Sequence, residues 1–465
     1  MKIFFNNIPC DVEENSFYKE IAKMLQTERG VVEVIVPGRG QATYLVQKRS
    51  GTNFITESSN TLGISTDFKE VYLTCIIADK NSYKYYHLVP DGNTVIAKYG
   101  RMGSNQERSF TYPLSMFWIK YYEKLSKGYV DRSDIYLEKN VVGNSKVTKR
   151  KDTIADTLFN KLAGFSRLSL KVAQIETSII TKNMIATAKE YLNNLRTKNT
   201  VESFNNALLE LMAISQRYIG IGNNDVSRYL LDTYVPFKEQ RNDVLEIISR
   251  EESLIKAMEG SYYSASSNKL EGNKSFSDYD IKIFIATDKQ KQQVLNHLSD
   301  TLKGNVKEIY RVIPKYQKQK FDEYLKEHKI KKVKQFWHGS RNENWLSIMI
   351  NSLQLNPNAV ITGKMFGQGI YFAPSSMKSW NYTSFRGTSW AGGKSNTAFM
   401  GLYATAYGKP WDVDTWDGST DYKARTRLNK CDCLHAHAGA SLRNDEIIFY
   451  NEDAMLLQYI VEFNE

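Results

Sequence analysis

The spacing of apolar residues changes along this chain of 465 residues, and each change predicts a different kind of region. Between residues 66 and 145 apolar and polar positions alternate, which is typical of strands with one buried face. The predicted strands are Val71–Ile77, Lys84–Val89 and Thr94–Tyr99. Asp91-Gly92-Asn93 predicts a hairpin turn between the last two, and an aromatic-rich helix is expected over Ser115–Leu125. This region therefore predicts a small antiparallel β domain.

Residues 150–258 have the three- and four-residue spacing of helices instead. Thr181 and Thr200 can each cap the helix that follows. The apolar residues of the helix faces are Ile154, Leu158, Leu162, Met184, Ile185, Ala188, Leu192, Leu195, Phe204, Leu208, Leu211 and Met212. A further helix is predicted over Asn242–Met258. Because the faces show no charged or metal-binding cluster, an all-helical bundle with a structural or regulatory role is expected.

The first 65 residues predict an α/β segment that matches no recognisable pattern of function. Lys2–Phe5 predicts a strand and Ser16–Thr27 an amphipathic helix. Val31–Val36 and Thr43–Gln47 predict a hairpin. We leave this segment unassigned.

Residues 275–465 mix both patterns. Ile281–Thr287 and Val306–Ile313 predict strands, and Gln290–Leu302 predicts a helix between them. A short apolar run then ends in His338-Gly339-Ser340, where glycine would let a ligand approach the backbone closely. The strand-like Ile370–Phe372 follows a glycine-rich turn, and Ser379 and Tyr382 stand close to one helical turn apart. Polar edges beside aromatic faces suit a flat ring such as nicotinamide or a base.

Length and composition limit the classes of protein to which this chain can belong. A chain of this size is longer than a single hydrophobic core usually supports, so two to four domains are expected. Four cysteines do not make a disulfide framework, which favours a reducing compartment. No stretch approaches the length of a membrane span, so no membrane partner is expected. The net charge of +11 suits a partner rich in phosphate, although a solvated basic surface would have the same composition.

The motifs of residues 338–382 resemble the donor site of the poly(ADP-ribose) polymerase (PARP) family. That family has a histidine, a tyrosine and a glutamate on separate strands. Its C-terminal glutamate strand is similar to Asn444–Tyr450, and its closing strand is similar to Leu457–Val461. The resemblance therefore implies a catalytic triad of His338, Tyr371 and Glu446, with NAD+ as the substrate.

The region 66–145 resembles the WGR domain of the DNA-dependent members of that family. The name-giving Trp-Gly-Arg appears here as Tyr99-Gly100-Arg101. Tyrosine still offers a flat face for stacking, and Arg101 can bind a phosphate through its planar fork. The resemblance thus implies that Tyr99, Gly100 and Arg101 contact the end of a broken DNA strand, although an arginine solvated at a hairpin end is the competing interpretation.

The helical region resembles the regulatory domain that limits NAD+ access in the family. The implied fold is multidomain α+β: a WGR domain at 66–145, an autoinhibitory helical domain at 150–258 and a catalytic domain at 275–465. The catalytic domain would be mixed α/β, built on two packed β-sheets. Lys146–Asp152 is expected to be a basic linker, and Tyr262–Asp278 a polar one.

The resemblance also implies a role for each site residue. Gly339 and Ser379 would hold the nicotinamide carboxamide, and Tyr371 and Tyr382 would sandwich its ring. His338 and Ser340 would bind the adenine-side ribose. Glu446 would bind the 2′-hydroxyl of the other ribose, with Lys378 beside it.

A run of possible metal ligands competes with this interpretation. Cys431, Cys433, His435 and His437 stand at alternate positions. On one strand they would form a row with about 7 Å between neighbours, which cannot close a tetrahedron around an ion. We therefore expect a strand and no metal site.

The expected function is DNA-break-stimulated transfer of ADP-ribose from NAD+ to protein acceptors, including the enzyme itself, by a chain that is a monomer when free. Two alternatives remain open: a DNA-independent mono-ADP-ribosyltransferase, and a nucleic-acid-binding module with weak transferase activity. The expected location is nuclear in a eukaryote, and cytoplasmic or nucleoid-associated if the source is prokaryotic or viral.

Overall fold

The computed structural model describes five short backbone stretches before residue 58 and most of the chain after it. The later described ranges are 68–77, 82–103, 106–137, 153–175, 177, 180–219, 226–265, 274–355, 365–386 and 395–464. The chain divides into two compact units. One contains residues 1–139 and 209–230, and the other contains residues 140–208 and 231–465. The predicted helix at Ser16–Thr27 and the basic segment 146–152 lie outside the described residues.

The first unit contains two five-stranded sheets. The first sheet has the strand order β2-β1-β3-β4-β5. Its strands are β1 (Lys2–Phe5), β2 (Ile8–Asp11), β3 (Gly30–Val36), β4 (Gly40–Arg49) and β5 (Thr52–Glu57). The predicted hairpin between residues 31 and 47 is confirmed, since β3 and β4 pair in antiparallel register from Gly30–Val46 to Val36–Gly40.

The second sheet has the order β10-β6-β7-β8-β9. Its elements are β6 (Val71–Ile77), β7 (Ser82–Asp91), β8 (Thr94–Arg101), β9 (Arg108–Pro113), α1 (Phe117–Leu125), β10 (Val130–Asp131) and α2 (Ser133–Tyr136). The alternation predicted from sequence is confirmed in β8, where Val95 and Ala97 are completely buried between more exposed neighbours, but it is wrong for β6, where all five residues from Val71 to Cys75 are buried. All three predicted strands and the predicted helix are therefore present, with small shifts at their ends.

Four longer helices follow: α3 (Ile154–Val172), α4 (Lys182–Leu195), α5 (Val201–Ile214) and α6 (Arg241–Ser264). Thr181 and Thr200 cap α4 and α5 as predicted. The Thr181 hydroxyl accepts from the Met184 amide at 3.1 Å, and the Thr200 hydroxyl accepts from the Ser203 amide at 3.2 Å. These bonds satisfy amides that have no partner within the helix.

Helix α6 runs six residues beyond its predicted end at Met258, so the linker prediction for Tyr262–Asp278 is wrong at its start. Contacts distant in sequence hold the extra turn. The Tyr263 hydroxyl donates to Asn351 Oδ1 at 3.0 Å, and the Tyr279 hydroxyl donates to the Tyr263 carbonyl at 2.7 Å. The polar composition of the segment concealed these partners.

The remaining part contains strands and short helices in alternation. Its strands are β11 (Ile281–Ile285), β12 (Val306–Pro314), β13 (Lys334–Gly339), β14 (Ile370–Phe372), β15 (Thr397–Thr405), β16 (Pro410–Val413), β17 (Cys433–Ala436), β18 (Glu446–Phe449) and β19 (Met455–Asn464). Its helices are α7 (Asp288–Asn296), α8 (Asp300–Lys303), α9 (Lys315–Glu327), α10 (Trp345–Asn351), α11 (Ser376–Trp380) and α12 (Tyr422–Leu428).

These strands form two sheets, of five and four strands. The orders are β11-β12-β19-β15-β13 and β14-β18-β17-β16. Side chains from both sheets and from α3 share one apolar core, which includes Phe159, Phe372, Tyr403 and Ile447. The two-sheet prediction is therefore confirmed for this region. The shared core also shows that α3 packs directly on the sheets.

The predicted helix Gln290–Leu302 is broken into α7 and α8. The break lies where the backbone bonds to other elements: the Trp337 indole donates to the His297 carbonyl at 2.8 Å, and the Ser299 amide donates to Ser376 Oγ at 2.9 Å. Across the described ranges, we find no helix with the length and apolar character needed to span a membrane.

Candidate active site

The histidine-glycine corner lies at the end of β13, on the edge of the five-stranded sheet. Reciprocal hydrogen bonds between the backbones of Trp337 and Ala373, at 2.9 and 3.0 Å, join this edge to the segment after β14. The half-buried His338 ring follows, with Nδ1 at 3.0 Å from the Tyr371 carbonyl oxygen. That carbonyl can only accept, so Nδ1 carries the proton and donates. This bond sets the tautomer and aims Nε2 away from Tyr371.

Gly339 lies against the helix that carries Ser379. A Cβ at position 339 would come within 1.8 Å of the Ser379 carbonyl oxygen, so only glycine fits here. The Ser379 hydroxyl donates to the Trp337 carbonyl at 3.1 Å. Its lone pairs therefore stay able to accept a hydrogen bond from a ligand amide.

Tyr371 holds the glycine-rich turn as well as one face of the site. Its hydroxyl donates to the Gly367 carbonyl and accepts from the Phe366 amide, each at 3.0 Å. Burial, together with Tyr450 and Glu446 nearby, raises the pKa of Tyr371 well above its usual value. The phenol is therefore neutral at physiological pH and acts as a positioned ring.

Glu446 begins β18, the strand that pairs with β14. Tyr371 faces Ile448 in the register, which places Glu446 two residues from that pair. The Glu446 carboxylate forms an ion pair with Lys378 Nζ, and both side chains are nearly buried. Lys378 also donates to the Asn444 carbonyl at 3.4 Å. The lysine thus orients the carboxylate from the side of α11.

These residues surround one cavity of about 420 Å³. The predicted site residues in its lining are His338, Gly339, Tyr371, Lys378, Ser379, Tyr382 and Glu446. Tyr382 stands at the mouth, with 60% of its surface exposed. Ser340 lies outside the lining and its Oγ accepts from Asn344 Nδ2 at 3.0 Å. The structure therefore brings the histidine, tyrosine and glutamate together and leaves Ser340 in the wall behind them.

Sequence reasoning missed the helical side of the cavity. Glu252 and Lys256, one turn apart on α6, both line it. Lys256 Nζ lies 3.3 Å from Glu252 Oε1, and Arg196 Nη2 lies 2.7 Å from Glu252 Oε2. The expectation that the helical faces carry no charged cluster is therefore wrong. The four-residue spacing of a glutamate and a lysine was the available signal, but only the fold shows which face it occupies.

Tyr99, Gly100 and Arg101 lie at the end of β8 in the first unit. The Tyr99 ring is stacked on Tyr86, with 6.0 Å between ring centroids. Arg101 Nε donates to the Ile219 carbonyl at 2.9 Å, and its guanidinium lies 5.9 Å from the centre of the Tyr83 ring. These contacts fix the direction of both side chains and leave their predicted role in DNA binding untested.

The Cys431–His437 run contains β17, as predicted. Cys433 is completely buried, and its thiol donates to the Tyr407 carbonyl at 3.3 Å. His435 and His437 instead come close to Asp412, which the neighbouring strand β16 supplies. Residues of one strand cannot surround an ion, but β16 adds Asp412 as a possible ligand from a second strand.

Comparison with known proteins gives the cavity a chemical context. Residues 287–413 match the family model of the poly(ADP-ribose) polymerase catalytic domain. The matched segment contains His338, Gly339, Tyr371, Ser379 and Tyr382. It ends before Glu446, so the position of that carboxylate rests on the pairing of β14 with β18.

Among curated proteins, a poly(ADP-ribose) polymerase-like protein of Invertebrate iridescent virus 6 is 29% identical over 179 residues, covering 37% of this chain and 94% of its own length. Poly(ADP-ribose) polymerase 2 of Homo sapiens is 57% identical over 47 residues, covering 10% and 8%. Poly(ADP-ribose) polymerase 1 of Xenopus laevis is 33% identical over 112 residues, covering 22% and 11%. The chain thus matches nearly all of the viral relative but only a small part of the others. Residues 287–413, which supply most of the cavity lining, are therefore similar to the poly(ADP-ribose) polymerase catalytic domain, and the comparisons support NAD+ ADP-ribosyltransferase activity.

Proposed function

We propose that this protein is a DNA-break-stimulated NAD+ ADP-ribosyltransferase that modifies proteins, including itself, and releases nicotinamide. The observation that carries the proposal is the convergence of His338, Tyr371 and Glu446 on one cavity. The three residues come from different strands, yet the cavity presents a carboxylate, a phenol ring and an imidazole to the same space.

The lining supports a binding mode for the nicotinamide half of NAD+. Because position 339 has no Cβ, its backbone lies directly against Ser379, and both residues line the cavity where a flat carboxamide would bind. Ser379 Oγ would accept a hydrogen bond from the amide, and Tyr371 and Tyr382 would lie on the two faces of the ring. His338 would accept a hydrogen bond from a ribose hydroxyl through Nε2.

The chemistry requires positioning and charge stabilisation. When the bond between nicotinamide and C1′ breaks, its electron pair leaves with nicotinamide and positive charge develops on the ribose. A carboxylate that holds the 2′-hydroxyl stabilises that charge. Glu446 would do this, and would orient the acceptor hydroxyl. The hydroxyl oxygen forms the new bond to C1′ as its proton passes to the Glu446 carboxylate, which acts as general base. The ion pair with Lys378 supports a fixed carboxylate orientation.

The position of α6 beside the cavity supports a regulatory role for the helical residues 150–258. Because Glu252 and Lys256 line the same cavity as Glu446, helix α6 occupies space beside the NAD+ site. A helix that lowers substrate access when docked can be released by local unfolding, which costs less than global unfolding. We propose that binding of a DNA break shifts this equilibrium.

The DNA-binding part of the proposal depends on the first unit and on charge. The chain carries a net charge of +11, and Arg101 ends β8 at the edge of the turn that follows. DNA-independent mono-ADP-ribosylation is the second candidate, since Tyr99 replaces the expected tryptophan and packs on Tyr86.

One experiment separates these functions. The full chain is incubated with labelled NAD+, with and without nicked DNA, and both nicotinamide release and product size are measured. The proposal expects release that rises with nicked DNA and long products on the protein. Equal release without DNA and single-unit products would support the second candidate. Absence of nicotinamide release in both conditions would contradict transferase function.

A further inference from the structure

A second polar cluster lies away from the cavity lining, where β16 and β17 run in parallel. Asp412 and His435 are directly paired in the register of these strands, and His437 follows on the same side. One ligand atom from each of the three residues lies within 4.8 Å of the others. We infer that Asp412, His435 and His437 form a binding site for a divalent transition-metal ion of the zinc class.

The distances fit a small ion. Asp412 Oδ1 is 2.8 Å from His437 Nε2 and 3.7 Å from His435 Nδ1. In a tetrahedral zinc site with ligands near 2.1 Å, neighbouring ligand atoms are about 3.4 Å apart. The two observed separations lie on either side of that value, so side-chain rotations of a few tenths of an ångström would bring the atoms to coordination distance.

Asp445 supplies an outer partner for both rings. Its Oδ2 lies 2.9 Å from His435 Nε2 and 3.8 Å from His437 Nδ1. Its Oδ1 accepts from the Ala438 amide at 2.8 Å, which fixes the carboxylate. Metal-binding histidines usually donate their second ring nitrogen to such a group. Nδ1 of His435 and Nε2 of His437 face Asp412, and the other nitrogen of each ring faces Asp445.

The local charge favours a cation. Two carboxylates surround two imidazole rings whose centroids are 4.0 Å apart and whose planes are inclined by 29°. Two protonated rings at that distance would repel each other, whereas two neutral rings can share one ion. Two imidazoles in a set with one carboxylate favour zinc and similar ions over magnesium and calcium, which prefer oxygen ligands.

Two hydrogen bonds compete with the ion, and the first is the 2.8 Å bond that His437 Nε2 donates to Asp412 Oδ1. The Tyr407 hydroxyl lies 2.9 Å from His435 Nδ1, and burial raises the pKa of Tyr407 to about 12. The neutral phenol donates to this nitrogen when no ion is bound, so binding requires the hydroxyl to turn away. The site is therefore expected to bind less tightly than one whose ligands have no other partner.

Binding would affect the strand that carries Glu446. An ion held by Asp412 on β16, by His435 on β17 and by His437 just after β17 would also fix Asp445, which directly precedes the first residue of β18, Glu446. The site would therefore join three strands at one end of the four-stranded sheet.

The test is a zinc titration of the chelator-treated full chain by calorimetry, with cobalt absorption as a second readout. We expect one zinc-binding event and visible cobalt bands in the wild type. His437→Asn, at a side chain with 34% exposure, should remove both. Asp445→Asn should weaken zinc binding by about 10- to 100-fold. His328→Ala, an exposed histidine outside the cluster, should leave zinc binding unchanged.

Two results would overturn the inference. One is zinc binding in the wild type that His437→Asn leaves intact. The other is a wild type that shows no zinc-binding event while its thermal unfolding shows that it is folded. In the first case, a Cys431→Ser, Cys433→Ser double variant identifies the ligands. If that variant loses zinc binding, the ion is bound by the thiols. None of these readouts depends on transferase activity.

Discussion

The backbone of Gly339 lies so close to Ser379 that a Cβ at position 339 would sit 1.8 Å from the Ser379 carbonyl oxygen. Gly339→Ala must therefore push β13 and α11 apart at the proposed carboxamide pocket. A displacement near 1 Å can lower turnover by about 100-fold. We expect a fall of that size in kcat/KM for NAD+, measured as nicotinamide release.

Gly304→Ala is the matched control, since a Cβ at position 304 meets no atom within 4 Å. Wild-type kcat/KM in Gly339→Ala would show that the close approach does not shape the site.

Replacement of the Glu446 carboxylate tests the proposed chemistry. Glu446→Gln keeps the size of the side chain but removes the charge that would stabilise the ribose cation and pair with Lys378. Loss of one such stabilising group lowers kcat by about 100- to 1,000-fold, and chain elongation should disappear. Product sizing with labelled NAD+ measures both effects. Polymer of wild-type length from Glu446→Gln would refute the role, and Glu327→Gln, an exposed glutamate on α9, controls for the substitution itself.

Glu259 joins α6 to the helices α10 and α4. It is 3% exposed, accepts from Ser347 Oγ at 2.5 Å and pairs with Lys189 Nζ at 2.6 Å. Glu259→Ala removes the acceptor of the buried Ser347 hydroxyl, while Lys189 keeps its bond to Gln354 at 3.0 Å. Loss of the buried acceptor lowers stability by about 1–3 kcal/mol. If α6 limits NAD+ access, turnover without DNA should rise severalfold.

The exposed Glu190 on α4 offers a control, as Glu190→Ala removes a charge and no buried bond. Reduced thermal stability in Glu259→Ala with unchanged turnover would argue that α6 is structural only. This variant is sharper than deletion of residues 150–258, which would strip Leu158, Phe159 and Leu162 from the core shared with the sheets.

Arg101 is the proposed phosphate contact in the first unit. Arg101→Ala should raise the concentration of nicked DNA needed for stimulation, and should reduce the salt dependence of DNA binding by about one phosphate equivalent. Turnover without DNA serves as the internal reference. Lys127→Ala removes an exposed charge already paired with Glu123 and should change neither quantity. An identical DNA-concentration curve for Arg101→Ala and the wild type would remove Arg101 from the interface.

Glu462 predicts how stability depends on pH. Its burial would raise its pKa, but hydrogen bonds from Lys161, Lys307 and Tyr310 outweigh this effect and hold the pKa below its usual value. A carboxyl whose pKa is lower in the folded state stabilises that state above its unfolded pKa, about 4.3, and loses this contribution as pH falls through the folded pKa.

Glu462→Gln should therefore lower the melting temperature at pH 7 and flatten its decline below about pH 5. Thermal unfolding followed across pH 3–7 measures this. If the melting temperatures of Glu462→Gln and the wild type change with pH in the same way, the ion pairs of Glu462 contribute nothing to the pH dependence of stability.

Much of the local structure could be predicted from sequence. The strands β6–β8 and the threonine caps of α4 and α5 depend on neighbours within a few residues, and these predictions are confirmed. The predicted helix over Gln290–Leu302 is wrong because Trp337 and Ser376 take its backbone groups. Both residues lie more than 35 positions away, so no local pattern could reveal them.

The sequence by itself determined which chemical groups this protein has and in what order: a histidine before a glycine, a tyrosine after a flexible turn, and a glutamate at the start of a late strand. The tertiary structure decided which groups meet. Strand pairing placed Tyr371 opposite Ile448 and brought Asp412 close to two histidines. Packing of helices on the sheets put Lys378 against Glu446 and placed Glu252 and Lys256 in the lining of the same cavity. Such meetings depend on packing between segments far apart in the chain, and packing follows from the whole core rather than from local spacing.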